Sequence, residues 1–77
     1  MNQVSKIVEV FKTDISKKKV ASTLVRSLSM QFPGYKINID FDDRDKVLRV
    51  ESGCLCDVDE IVRFVRRQNV QIELLSW

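Results

Sequence analysis

Apolar and polar positions along this chain follow a period of about two, then about 3.6, then two again, and the whole cycle repeats. Lys6 to Lys12 (KIVEVFK) is rich in β-branched and aromatic residues and predicts a first strand. Thr13 to Ser16 is a short polar connection, with Ser16 expected to cap the helix that follows. Val20, Ala21, Leu24, Val25 and Leu28 form one helical stripe, Phe32 extends it, and Pro33-Gly34 stops the helix and turns the chain. Tyr35 to Phe41 (YKINIDF) alternates cleanly, with Tyr35, Ile37, Ile39 and Phe41 on one face. The run Asp42-Asp43-Arg44-Asp45 reads as a charged hairpin turn, and Lys46 to Glu51 as the third strand. After the loop Ser52 to Cys56, Asp57 opens a second helix, with Glu60 three residues on as in a capping box. Val58, Ile61, Val62 and Val65 supply its buried stripe. Asn69 suits a left-handed stop, and Val70 to Leu75 is the last strand.

This order predicts one α+β domain over residues 1–77, a ferredoxin-like βαββαβ sandwich. The expected sheet is antiparallel and four-stranded, in the order 4-1-3-2, with both helices on one face. Thr13–Ser16, the Asp42–Asp45 turn and Gln68–Asn69 then share one end, and Pro33-Gly34 and the cysteine loop the other. If Val8, Val10, Leu48, Val50, Ile72 and Leu74 face the helices, Ile7, Phe11, Val47 and Leu75 face the open side, followed there by Trp77. Such an apolar patch predicts a partner surface, for another protein or for a second copy in a homodimer.

Composition narrows the function classes. No apolar run approaches the ~18 residues of a membrane span, and Met1 to Lys6 lacks a signal-peptide core, so the expectation is a soluble cytoplasmic protein without a membrane partner. A net charge of +2 is too small to argue for nucleic acid, and the third strand lacks the aromatics on which an RNA-recognition motif stacks bases. Without histidine, a nucleophile–base pair or a glycine-rich phosphate loop, the chain is expected to be neither an enzyme nor the holder of a cofactor.

Asp14-Ile15-Ser16-Lys17-Lys18-Lys19-Val20, followed by Ala21, Leu24, Leu28, Pro33-Gly34 and Ile37-Asn38-Ile39-Asp40-Phe41, resembles the heavy-metal-associated domains of copper chaperones and metal-transporting ATPases. The likeness runs on through Leu48-Arg49-Val50-Glu51 to Leu75. Those domains carry Gly-Met-x-Cys-x-x-Cys between the first strand and helix. Here Ile15 stands at the Met, and Lys17 and Val20 at the two cysteines. The resemblance therefore implies the scaffold of a metal carrier without its thiolates, a non-enzymatic interaction module with a degenerate metal site.

Two further clusters are candidate sites. Cys54 and Cys56 are the only soft-ligand pair, and a Cys-x-Cys loop could hold Cu or Zn as a carrier or sensor, with a second chain completing a zinc shell. The bland reading is a pair of small hydrophobes. Lys17, Lys18 and Lys19 stand in a first helical turn, where cations oppose the macrodipole, and together with free N–H groups could attract a small anionic ligand or an acidic protein. Against this, Asp14, Asp42, Asp43 and Asp45 could simply neutralise them.

Overall fold

The computed structural model describes residues 7–53 and 57–75. Six elements follow in the order β1 (Ile7–Thr13), α1 (Lys18–Gln31), β2 (Lys36–Asp40), β3 (Val47–Ser52), α2 (Val58–Arg66) and β4 (Ile72–Leu74). The strands form a single antiparallel sheet, β2-β3-β1-β4. Counted from the β2 edge the order is 2-3-1-4, where the expectation ran 4-1-3-2 from the β4 edge. Ala21, Leu24 and Leu28 of α1 and Ile61 and Val65 of α2 join Phe11, Leu48, Val50 and Ile72 of the sheet in one core. No helix among the described residues is long and apolar enough to cross a membrane.

Local chemistry sets the boundaries. The Asp57 carboxylate accepts from the Glu60 N–H at 3.1 Å and so caps α2. Asn69 takes φ 64, the left-handed conformation its short polar side chain tolerates, and turns the chain toward β4. In the β2–β3 hairpin the Asp43 side chain accepts from the Asp45 N–H at 2.8 Å. Lys46 leaves that turn at φ 46, a costly conformation for lysine. Its Nζ donates to the Phe41 carbonyl at 3.1 Å and sits 4.6 Å from the Phe41 ring centroid, which helps hold it there.

The face that β1 turns to the core differs from the expectation. Register pairs Phe11 with Leu48 and Ile7 with Ser52, so the odd-numbered residues face the helices. Phe11 is fully buried (0% exposed), whereas Val8 is 46% exposed. Val8 and Val10 thus lie on the open face, and Phe11 and Ile7 do not. Both alternations of IVEVFKT are apolar enough to serve. The phenyl ring removes more area from water than either valine, and it decides the choice. Of the polar residues on the chosen face, Glu9 is only half-buried, and Thr13 is buried with its hydroxyl hydrogen-bonded. Leu74 is on the helix side as expected, now beside Phe11, and at this sheet edge it is 41% exposed.

Ser16 does not cap α1. The N-cap is Lys17, and no side chain bonds the first turn. The loop before it is pinned elsewhere. Asp14 accepts from the Gln71 N–H at 2.9 Å, while Thr13 Oγ1 donates to the Lys46 carbonyl at 2.8 Å and accepts from the Ile15 N–H at 3.4 Å. These bonds tie the β1–α1 connection to the β3 and β4 ends and leave Ile15 buried beneath it. Val20, assigned above to the buried stripe, is 41% exposed at its margin.

Candidate functional site

A shallow, largely apolar concavity runs between α1 and β2, the edge strand nearest it. Alternation in β2 sends Ile37 and Ile39 toward the helix and Lys36, Asn38 and Asp40 toward the open face. The stripe of α1 meets them with Ala21, whose single methyl leaves a gap, and with half-buried Val25. Between them lies a groove of about 460 Å³, floored by Ala21, Val25, Ile39 and Phe41, with Lys18, Ser22 and Arg26 along the helical rim. That volume is in the range of small-ligand or side-chain pockets. Lys18, Ser22 and Arg26 stand at i, i+4 and i+8 and share one face of the helix. Neither cation makes an ion pair among the described residues; the pair found there joins Arg63 to Glu60 on α2, at 3.5 Å. Along its outer edge β2 is also without a neighbour, since among the described strands it pairs with β3 alone.

The three lysines expected to act together are divided. Lys17, Lys18 and Lys19 are all exposed. Lys18 lines the groove just described, whereas Lys17 and Lys19 line a separate depression with Val20, Thr23, Leu24, Gln68 and Val70. A helical step of about 100° per residue separates neighbours in sequence onto different faces, which is why the run does not converge. Lys12 and Arg66 lie in a third depression that also holds Asp14 and Glu73.

At the position where the resembled family places two cysteines, the loop offers the ammonium of Lys17 and the isopropyl of Val20. Neither can bind a soft metal, so these residues do not fit the family's cargo. Among the described residues no three carboxylate, cysteine or histidine side chains gather to hold a metal ion. Cys54 and Cys56 lie outside the described residues.

The sheet-face patch is rearranged by the flip of β1. Phe11 is in the core and Ile7 is half-buried on the same side, so neither belongs to the open face. Val47 and Leu75 do belong there and are half-buried, with the Leu75 N–H donating to the Val10 carbonyl at 2.8 Å. Trp77 lies outside the described residues. What remains apolar is Leu75 together with Val8, Val10 and Val47, the valines interspersed with Arg49, Glu51 and Asp40. Opposite charges beside small valines make this a mixed surface rather than an apolar patch.

Sequence reasoning missed the groove because its two walls are different elements. The signal present was the spacing Lys18-Ser22-Arg26 beside the apolar stripe, together with a strand alternating strictly enough to turn Ile37 and Ile39 under the helix. No protein-family model matches this chain, and no curated protein matches it in sequence.

Proposed function

We infer that this chain is a small non-enzymatic interaction module on a ferredoxin-like scaffold, resembling a heavy-metal-associated domain whose metal loop has been replaced. The observation that carries this reading is the α1–β2 groove, an apolar floor rimmed by two cations that make no ion pair among the described residues. Such a surface is built to bind and has little to catalyse with. The chain contains no histidine, and Asp42 and Asp43 are exposed on a turn. The exchange of thiolates for Lys17 and Val20 supports the loss of metal handling at that loop.

The test is selection of short random displayed peptides on the folded, reduced protein, with Val25→Arg as the groove-blocked control. Binders that the control rejects support the module. Their absence, together with tight Cu(I) or Zn(II) binding that Cys54→Ser/Cys56→Ser removes, would replace it with a metal carrier.

A further inference from the structure

We propose that β2 accepts an extended acidic peptide as a fifth strand, which places an acid-x-apolar-x-acid pattern in the α1–β2 groove. This rests on the groove being the binding surface inferred above, and goes further in naming the mode of binding and the chemistry of the partner.

The backbone supplies the first half of the argument. An edge strand presents alternate N–H and C=O groups away from its neighbour, and these template another strand unless proline, a bulge or a covering element intervenes. β2 has five residues, no proline and regular pairing with β3 from Lys36↔Glu51 to Asp40↔Val47, so its outer edge is straight and open among the described residues. The opposite edge, β4, has three residues and offers a shorter template.

Side chains supply the specificity. An added strand lies about 4.8 Å outside β2, and every second side chain points to the helix side, over the groove. Lys18 and Arg26 are eight residues apart on α1, about 12 Å along its axis. Strand residues four apart stand about 13 Å from one another on the same face. A carboxylate at the first position of the peptide can therefore meet one cation while one at the fifth meets the other. The third side chain falls between them, over Ala21, Val25 and Ile39, whose apolar surface favours an apolar group there, with Ser22 and Asn38 as the polar residues at the margin. Because acid-x-apolar-x-acid is symmetric, it fits whichever way the peptide runs.

A second copy of this chain is the poorer occupant. Pairing through its own β2 would turn Ile37 and Ile39 toward the groove, with no carboxylate for either cation. It would also bring a second α1, with its own Lys18 and Arg26, onto the same face of the joined sheet, where like charges repel.

The experiment begins from the displayed peptides that the Val25→Arg control rejects. Their sequences are read, and their synthetic forms are titrated by fluorescence anisotropy against wild type and Lys18→Glu/Arg26→Glu. Both replaced side chains are exposed, so circular dichroism should show an unchanged fold. The expected result is enrichment of acid-x-apolar-x-acid and a loss of affinity of about tenfold or more in the double variant. Replacing the peptide's acids by lysine should restore binding to that variant. Alternate amides of β2 should exchange more slowly with solvent in the complex, and N-methylation of alternate peptide amides should abolish binding. Groove binders that leave the β2 amides unprotected, or that show no acidic preference, would overturn strand addition while leaving the interaction module standing. Failure to select any groove binder would remove both. Protection of the β2 amides that rises with protein concentration, without peptide, would overturn the proposal in favour of self-pairing.

Discussion

Phe11 and Val8 offer the sharpest test of how the core is assembled, because the two alternations of β1 assign them opposite environments. In the structure Phe11 is fully buried against Leu48, and Val8 points out of the open face. Truncating Phe11→Ala removes the ring and leaves a cavity beside Leu48 and Ile72, a change that costs about 3–5 kcal/mol. A chain of this size has a total stability of roughly 4–12 kcal/mol, so the loss takes at least about a quarter of it and, at the low end, unfolds the variant. Phe11→Leu keeps more of the volume and should lose only about 1–1.5 kcal/mol, which keeps the comparison measurable. Val8→Thr introduces a hydroxyl at a position that reaches water and should shift stability by no more than about 0.5 kcal/mol. Were Val8 in the core instead, the same hydroxyl would be buried and cost about 1–3 kcal/mol. Urea titrations followed by far-ultraviolet circular dichroism give the differences directly, provided the slope with urea is common to the variants. The reasoning is refuted if Phe11→Ala loses less than about 1 kcal/mol while Val8→Thr loses more, since that order belongs to the opposite face of β1.

Lys17→Asp should stabilise the protein by about 0.5–2 kcal/mol, because α1 begins without a side-chain cap and aspartate supplies one. A thermal melt should show this as a rise of several degrees, and an unchanged midpoint would mean the loop holds position 17 too far from the first-turn amides. Thr13→Val should cost about 1–3 kcal/mol in urea, since it strips the buried hydroxyl that serves the Lys46 carbonyl and the Ile15 N–H. Thr13→Ser should recover most of that loss. Leu24→Ala, at a site only 2% exposed, should cost about 2–5 kcal/mol; a loss below about 1 would mean the buried stripe of α1 is rotated.

What the sequence determined by itself was local. The alternation of Tyr35 to Phe41, the Asp57 cap, the Pro33-Gly34 turn and the left-handed Asn69 each depend on residues within a few positions, and each stands where the pattern puts it. Tertiary structure decided wherever local chemistry left two answers. In β1 both alternations carry apolar residues, and only the pairing of Phe11 with Leu48, far away in sequence, settles which face is buried. Ser16 is as good a cap by type as any residue in the loop, yet the bonds from Asp14 to Gln71 and from Thr13 to Lys46 set the path of the chain, and the cap position falls one residue beyond it, at Lys17. The groove is the extreme case. Ala21 and Ile39 read as ordinary members of two separate stripes, and Lys18 as part of a basic run. Packing α1 beside an edge strand divides that run and leaves a gap above Ala21. It also sets two cations about as far apart as same-face side chains four residues apart on an added strand.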